Sequence, residues 1–175
     1  MFVCTGNVCR SPTAERLVTA WSARTGGAEL IASSAGTRAV VGCGMEPTAA
    51  RVLSSLGGYP DGFVARQLTP VIAADADLVL TMTESHRDTV LRQSPRLFRR
   101  TFTLLEAAHL AATIGPGTVA EYATARGTVP LPATVDVPDP IGRSATVFED
   151  VGTLIDQAVS NLLTQLRHTG RTTTS

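Results

Sequence analysis

The sequence predicts a single-domain α/β protein built on a parallel sheet, and three observations lead to this prediction. Short apolar segments typical of strands alternate along the chain with segments of helical periodicity, as in repeated strand-helix units. The chain has 175 residues, a length that favours one buried core. Hydrophobic residues make up 43% of the composition and charged residues 17%, as in ordinary compact globular proteins. We expect one domain over residues 1–167 and a disordered tail over 168–175, which lacks apolar side chains.

The first strand, loop and helix are expected to follow one another without spare residues. Residues 1–3 are apolar, which is typical of the end of a buried strand. Gly6 and Asn7 favour the unusual backbone dihedrals of a tight loop. Ser11 is expected to cap the next helix, and Pro12 suits the first helical position.

The later elements continue the alternation of strands and helices. Three more strands are expected at 29–35, 77–82 and 100–104. Helices are expected from Pro47 to Leu56 and after Thr83. Three further helices are expected at pairs with capping-box spacing, the last running to about Arg167; the pairs are Thr103 with Glu106, Thr118 with Glu121, and Thr146 with Glu149. Segments 115–117 and 127–138 are rich in glycine and proline, so this region is expected to form a lid or insertion.

Bulk composition argues against several classes of partner. Basic and acidic residues number 15 each, so no overall field favours nucleic acid or a membrane surface. No apolar segment approaches the roughly 20 residues that a membrane-spanning helix needs. Three cysteines, an odd number, do not make a secreted disulfide framework, and the three histidines lack metal-ligand spacing. We expect a cytoplasmic monomer or weak dimer without metal or other cofactor.

The segment CTGNVCRS places a cysteine and an arginine six positions apart at the predicted strand-to-helix junction. Such a junction directs backbone N–H groups to one point, and the helix dipole favours negative charge there. The same field favours the thiolate of Cys4, which makes this cysteine a candidate nucleophile. Arg10 can contact two oxygens of a phosphate, and the Ser11 hydroxyl can donate to the sulfur and ease its departure. The expected phosphate-binding residues are Thr5, Gly6, Asn7, Val8, Cys9 and Arg10.

A thiolate that attacks phosphorus also needs a proton donor for the leaving oxygen. Asp139 precedes Pro140 in a stiff loop over 135–142, which makes its carboxyl group the candidate acid and, in a second step, the candidate base. Asp136 in the same loop is the alternative acid. The sequence therefore predicts catalysis by Cys4, Arg10 and Asp139, assisted by Ser11.

These segments resemble the low-molecular-weight protein tyrosine phosphatase family. CTGNVCRSP is similar to the family's phosphate-binding loop and Asp139-Pro140 to its acid loop, and the likeness extends over about residues 1–167 with a weaker stretch at 105–134. The other similar segments are Ser34-Ala35-Gly36-Thr37, Ala65-Arg66-Gln67 and 78–82. The resemblance implies a four-stranded parallel sheet flanked by helices, a cysteinyl-phosphate intermediate and no metal. It also implies that Asn7 and Ser34 hold the loop in shape.

Several positions depart from the family's pattern. Ile141 stands where an aromatic side chain usually follows the Asp-Pro pair, and Val40 stands near a second, often aromatic, pocket wall. Phe63 aligns with a histidine that supports the loop in some members. We expect a substrate pocket lined by Val8, Val40 and Ile141. Val8 favours the tyrosine phosphatases, which carry an aliphatic residue there, over related arginine phosphatases, which carry threonine.

The strand before Cys4 has three residues where the family usually has more, which suggests a natural start upstream of Met1. Cys9 lies inside the loop and is the candidate redox partner of Cys4, through a reversible disulfide.

The predicted function is that of a phosphomonoester hydrolase, with phosphotyrosine protein as the default substrate. The alternative on the same scaffold is a phosphatase for phosphoarginine or a small phosphate ester. An arsenate reductase is less favoured, because it would relay oxidation to two downstream cysteines and none follows Cys43. A non-catalytic oxyanion-binding module is the remaining alternative.

Overall fold

The computed structural model describes residues 1–26 and 30–167. The tail predicted over 168–175 and the first residue of the strand predicted over 29–35 lie outside the described residues. Among those described, no helix is long and apolar enough to cross a lipid bilayer.

Four short strands form one parallel sheet in the order β2-β1-β3-β4. In this sheet Cys4 pairs with Gly36 and Val3 with Thr81. All strand residues are buried, as expected for a parallel sheet that is covered on both faces. The strands are β1 (Phe2–Cys4), β2 (Ser34–Gly36), β3 (Val79–Thr81) and β4 (Thr101–Thr103).

Seven helices and one 3₁₀ segment connect and cover these strands over the described part of the chain. They are α1 (Arg10–Thr25), α2 (Pro47–Ser55), α3 (Pro70–Ala74), α4 (Glu84–Gln93), α5 (Leu104–Ile114), α6 (Val119–Ala125), α7 (Ala145–Gln165) and the 3₁₀ segment Pro95–Arg100. The predicted α/β fold with a four-stranded parallel sheet is confirmed.

Hydrophobic cores lie on both faces of the sheet, because side chains alternate along each strand. The larger core contains Phe2 and Leu80 of the sheet, packed with side chains of α1, α5 and α7. The smaller one contains Val3 and Val79, packed with side chains of α3 and α4. The helices therefore hold the sheet from both sides, and the carboxyl ends of the strands meet at one edge.

Three of the four predicted threonine caps form and one does not. Thr83, Thr103 and Thr118 each accept a hydrogen bond from a backbone N–H in the first turn of the following helix, and the last two complete capping boxes. The capping box predicted for Thr146 is wrong, since Ser144 precedes α7 and its carbonyl accepts from Val147 and Phe148. Thr146 thus lies inside the first turn.

Two further expectations were wrong. Ser11 does not cap α1: the helix begins at Arg10 after Cys9, and Pro12 is its third residue, where a missing N–H is tolerated. The region between residues 115 and 138 is not a lid, because α6 buries Tyr122 and the following loop buries Val137 in the main core, and its being an insertion stays a prediction. In addition, α3 was not predicted.

Candidate active site

The loop between β1 and α1 lies at the carboxyl edge of the sheet, and its carbonyl groups are held from outside. The carbonyls of Cys4, Thr5 and Gly6 accept hydrogen bonds of 2.9, 3.0 and 2.9 Å from the backbone N–H groups of the segment 37–40. The Val8 carbonyl accepts one of 2.7 Å from Glu46. The loop is therefore fixed by two neighbouring segments, which turn its carbonyls away from its centre.

The backbone N–H groups of this loop differ from its carbonyl groups in their hydrogen bonding. Within residues 1–26 and 30–167, no atom accepts a hydrogen bond from the backbone N–H of any residue from Thr5 to Arg10. Backbone N–H groups that are left open at a helix N-terminus bind tetrahedral anions well. The structure thus brings together all the predicted phosphate-binding residues in one cradle whose donors are available to a ligand.

The Cys4 thiol lies at one end of a chain of polar side chains. Its Sγ is 2.9 Å from Ser11 Oγ, which also accepts a 3.0 Å hydrogen bond from Asn7 Nδ2. Asn7 Nδ2 donates in addition to Ser34 Oγ at 2.8 Å, and Ser34 Oγ donates to the Glu15 carboxylate at 2.6 Å. Ser11 could not cap α1 because its hydroxyl faces the sulfur instead. Asn7 and Ser34 lie in the network where the resemblance placed them.

Asn7 fixes the shape of the loop through its backbone as well as its side chain. It is fully buried and adopts a left-handed conformation with φ of 55°. Its Oδ1 accepts a 2.9 Å hydrogen bond from the Arg66 backbone N–H, and Arg66 Nε donates to the Ser34 carbonyl at 2.8 Å. Sequence reasoning missed Arg66 and Glu15 as support for the loop. The Ala65-Arg66-Gln67 segment was noted only for its likeness to the family.

Arg10 is buried and contacts the loop that carries the predicted acid. Its Nη2 lies 2.6 Å from Asp139 Oδ2, and its Nη1 donates to the Val137 carbonyl at 3.1 Å. The Asp139 side chain is 50% exposed, and its Oδ1 accepts from the Ile141 backbone N–H at 3.2 Å. The Val137 N–H donates to the Met82 carbonyl, which anchors this loop to the end of β3. Asp139 therefore lies beside the cradle and within reach of solvent.

Asp136, the alternative acid, has another partner. Its Oδ1 accepts a 2.8 Å hydrogen bond from the Glu84 backbone N–H at the start of α4. This contact ties the acid loop to α4, and Asp139 is the carboxylate that pairs with Arg10.

His86 was missed as a neighbour of the cradle. Its Nε2 lies 2.9 Å from Thr5 Oγ1 and its Nδ1 lies 2.8 Å from Thr83 Oγ1. Burial of the ring, followed by the positive charge of Arg10, lowers the pKa of His86 to about 4. The imidazole is therefore neutral at pH 7. Its place in the first turn of α4 carries no sequence signal for this contact, and the sequence indicated only that the histidines lack metal-ligand spacing.

The three cysteines are free thiols and differ in environment. Cys4 and Cys9 are buried, and Cys43 is exposed. Cys9 packs against Ala49, Val52 and Phe148, and burial raises its pKa to about 12. Cys9 is thus a protonated thiol in an apolar cluster at neutral pH.

Aliphatic side chains border the cradle where the pocket was predicted. A Cβ built on Gly6 would lie 3.5 Å from Val8 Cγ2 and 3.7 Å from Val40 Cγ2, so both valines flank this residue. Val40 and Ile141 are about half exposed. Phe63, the residue aligned with a family histidine, is buried under the guanidinium of Arg16 at 5.6 Å from its ring centre.

No group of three or more histidine, cysteine or acidic side chains within the described ranges is arranged to hold a metal ion.

Comparison with known proteins is consistent with this geometry. Wzb from Escherichia coli K12, named a low molecular weight protein-tyrosine-phosphatase, is 38% identical over 97 residues, which is 55% of this chain. The aligned part spans 63% of that relative, less than two thirds of its length.

Two solved structures share the fold. The tyrosine phosphatase AmsI of Erwinia amylovora superposes with a TM-score of 0.72 at 29% identity, covering 95% of this chain and 91% of that one. YwlE arginine phosphatase of Geobacillus stearothermophilus gives 0.69 at 28% identity, covering 92% and 87%.

A family model described as low molecular weight phosphotyrosine protein phosphatase matches residues 1–113. This match contains the whole cradle, its supporting residues and His86, and it ends before Asp139. The matched part is more than half of the chain, and the chain belongs to the low molecular weight phosphotyrosine protein phosphatase family.

Proposed function

We propose that this protein hydrolyses phosphomonoesters through a covalent phosphocysteine, with protein phosphotyrosine as its principal substrate. The observation that carries the proposal is the cradle itself. The loop from Thr5 to Arg10, directly after Cys4, has open backbone N–H groups within the described residues, and its Arg10 pairs with the carboxylate of Asp139 at 2.6 Å. This arrangement combines a nucleophile, an anion site and a proton donor in one place.

In the first step, the Cys4 thiolate attacks phosphorus while the cradle N–H groups and Arg10 bind the non-bridging oxygens. An S–P bond forms and the P–O bond to the leaving group breaks. Asp139, as the carboxylic acid, gives its proton to the departing oxygen. Preorganised donors that meet developing charge on the phosphoryl oxygens supply the main stabilisation.

In the second step, water attacks the phosphocysteine. The Asp139 carboxylate takes a proton from that water, the S–P bond breaks and inorganic phosphate is released. The Ser11 hydroxyl, 2.9 Å from Cys4 Sγ, stabilises the thiolate as it departs. The Cys4 thiolate and the Asp139 carboxylic acid are thereby returned to their starting states, and one water molecule is consumed for each ester that is hydrolysed.

Two features lie beside the Cys4 sulfur. Cys4 is 3% exposed, Ser11 Oγ lies 2.9 Å from its Sγ, and α1 begins at Arg10 directly after the loop. The N-terminus of a helix favours a bound anion, which supports phosphate binding next to this sulfur. In the free protein Arg10 is paired with Asp139, and a bound phosphoryl group would accept some of the hydrogen bonds that this guanidinium donates.

Phosphoarginine is the second candidate substrate. The likeness to an arginine phosphatase of known structure favours it. Val8 opposes it, because an aliphatic side chain cannot hydrogen-bond to a guanidinium. The aliphatic rim of Val40 and Ile141 also leaves room for small phosphate esters, since no ring is required to stack there.

We also infer that the protein acts in the cytoplasm as a monomer or weak dimer. The nucleophile must stay a free thiol, which a reducing compartment maintains. Every residue of the cradle comes from a single chain, so the site does not need a second copy.

The test is hydrolysis of p-nitrophenyl phosphate by the wild-type protein and by two cysteine variants. Cys4→Ser is expected to abolish turnover while phosphate or vanadate still binds. Cys43→Ser, which changes an exposed thiol outside the cradle, is the matched control and should retain wild-type turnover. Turnover by Cys4→Ser at the wild-type rate would refute the proposal. Phosphate binding by a wild-type protein that cleaves nothing would favour the oxyanion-binding module.

Substrate choice is tested by comparing kcat/KM on a phosphotyrosine peptide, phosphoarginine and small aliphatic phosphate esters. Phosphotyrosine is expected to give the highest value, and Val8→Thr to shift the ratio towards phosphoarginine. A wild-type preference for phosphoarginine would reverse the order of the two candidates.

A further inference from the structure

A histidine outside the phosphate-binding loop touches the residue that follows the nucleophile. His86, in the first turn of α4, is 7% exposed, and its Nε2 lies 2.9 Å from Thr5 Oγ1. The Thr5 backbone is already fixed by the Arg38 N–H, so the contact with His86 determines where the Thr5 side chain points.

The hydrogen bonds of Thr83, the other neighbour of His86, bear on the tautomer of this histidine. Thr83 Oγ1 accepts a 3.2 Å hydrogen bond from the His86 backbone N–H and lies 2.8 Å from His86 Nδ1. A hydroxyl has a single proton to give. Within residues 1–26 and 30–167, Nδ1 is the acceptor placed within reach of that proton. This placement favours Nδ1 as the acceptor of the Thr83 proton, which in a neutral ring puts the ring proton on Nε2.

The Nε2 proton then determines which hydrogen bond the Thr5 hydroxyl can donate. With Nε2–H donating to Thr5 Oγ1, the Thr5 hydroxyl proton is not used by the histidine. Thr5 follows Cys4 directly and belongs to the cradle, so the nearest new acceptor is an oxygen of a bound phosphoryl group. In this series each side chain donates a hydrogen bond to the next: Thr83 donates to His86, His86 donates to Thr5, and Thr5 donates to the ligand.

We propose that His86 is a positioning residue that, as the Nε2–H tautomer, holds the Thr5 hydroxyl as a donor to the bound phosphoryl group. The inference rests on the proposed function, because it assigns a task to a residue of that same site. It adds a side-chain donor to the backbone donors of the cradle.

The charges around His86 are compatible with a neutral ring. Arg10 and Arg38 oppose its protonation, and Asp136 and Asp139 favour it. Burial decides the balance, and it lowers the pKa of His86 to about 4. Between pH 5 and 8 the tautomer, and with it the Thr5 donor, stays unchanged.

The first test reads the tautomer directly. Nitrogen-15 NMR of the imidazole side chains in the wild-type protein at pH 7 is expected to show a protonated Nε2 and an unprotonated Nδ1 for His86. A proton on Nδ1, or on both nitrogens, would overturn the inference whatever the activity of the protein.

The second test is a double-mutant cycle on the inhibition constant for inorganic phosphate. Thr5→Val and His86→Leu are each expected to raise it about 5-fold, the effect of one ordinary hydrogen bond. The double variant should stay near 5-fold, whereas independent effects would multiply to about 25-fold. His86→Gln, whose amide can donate in place of Nε2, and Thr5→Ser, which keeps the hydroxyl, are expected to lose less.

A purely structural histidine would behave differently. His86→Leu would then lower the thermal midpoint. It would also raise the inhibition constant for phosphate by the same factor in the wild-type protein and in Thr5→Val, and that result would refute the proposal. His109→Leu, at a histidine whose Nε2 lies 3.0 Å from the Pro130 carbonyl, is the matched control and should bind phosphate as the wild-type protein does. If phosphate binds with the expected coupling but no ester is cleaved, the proposed function fails while the placement of Thr5 stands.

Discussion

Arg10 Nη2 and Asp139 Oδ2 lie 2.6 Å apart, although 129 residues of sequence separate the two side chains. The loop of Asp139 is held near the cradle by two backbone contacts of Val137, one to Arg10 and one to the end of β3. In the proposed mechanism, the acid is thus placed by the same arginine that binds the phosphoryl group, and this links proton transfer to anion binding.

Replacing Asp139 with asparagine keeps its size but removes the proton that it gives and takes. We expect kcat to fall about 10² to 10⁴-fold, the usual contribution of general acid-base catalysis. The loss should be larger with phenyl phosphate than with p-nitrophenyl phosphate, because phenolate is the poorer leaving group. Steady-state rates on the two esters check this.

Asp136→Asn is the matched control for that experiment. The amide oxygen of asparagine can still accept from the Glu84 N–H, so kcat should stay close to the wild-type value. A greater loss from Asp136→Asn than from Asp139→Asn would show that the roles of the two carboxylates are reversed.

Asn7→Ala is expected to destabilise the protein by about 2–4 kcal/mol, since it removes the acceptor of the Arg66 N–H and the amide donor that Ser11 Oγ and Ser34 Oγ share. Part of the loss comes from backbone strain at φ of 55°. Asn7→Gly relieves that strain and should be about 1 kcal/mol more stable than Asn7→Ala. Urea unfolding of both variants measures the difference, and equal stabilities would contradict the role given to the backbone.

Glu106 is fully buried and forms ion pairs with Arg126 at 2.6 Å and Arg87 at 3.2 Å. Glu106→Ala leaves two guanidinium groups without their shared carboxylate, and we expect a loss of about 3–5 kcal/mol in the free energy of unfolding. Glu149→Ala, at an exposed position in α7, is the control and should change it little. A wild-type denaturation midpoint for Glu106→Ala would show that the buried pairs contribute nothing.

Cys9 should resist alkylation at pH 8 while Cys43 reacts, because burial raises the pKa of Cys9 to about 12 and Cys43 is exposed. Peptide mass spectrometry after iodoacetamide treatment measures both. Labelling of Cys9 in the folded protein at the rate of Cys43 would contradict the buried, protonated thiol.

The same raised pKa affects stability. The folded protein keeps the Cys9 proton more firmly than the unfolded chain, whose cysteine pKa is about 8.5. The resulting stabilisation is complete below about pH 8.5 and declines as the pH rises towards 12. Cys9→Ala should flatten this alkaline decline in unfolding experiments. The disulfide between Cys4 and Cys9 stays a prediction, and a protonated partner thiol would form it slowly.

The sequence predicted the family, the parallel sheet and the cradle because these depend on local order. A cysteine, five residues and an arginine between a strand and a helix leave few other geometries, and the threonine caps before α4, α5 and α6 act within four residues. Ser11 was misplaced for the opposite reason. A serine before a proline is typical of a cap, but here the Ser11 hydroxyl contacts the sulfur of Cys4, seven positions earlier.

The residues that support the site from other segments could not be predicted in the same way. Glu15, Arg66 and His86 reach the loop or its network across 19, 59 and 81 positions of sequence, through contacts that exist only after the chain has folded. Asp139 was identified at a greater separation because the adjacent proline and its stiff loop form a motif. Arg66 and His86 carry no comparable local signal.

The segment 37–40 has two tasks that use different atoms. Its amide hydrogens brace the floor of the anion site, while the Val40 side chain forms part of the wall. Under the proposed function, exchange of the side chain at position 40 should therefore alter substrate preference without disturbing catalysis. Insertion or deletion of a residue there would move the N–H groups that bind the Cys4, Thr5 and Gly6 carbonyls, and should damage both.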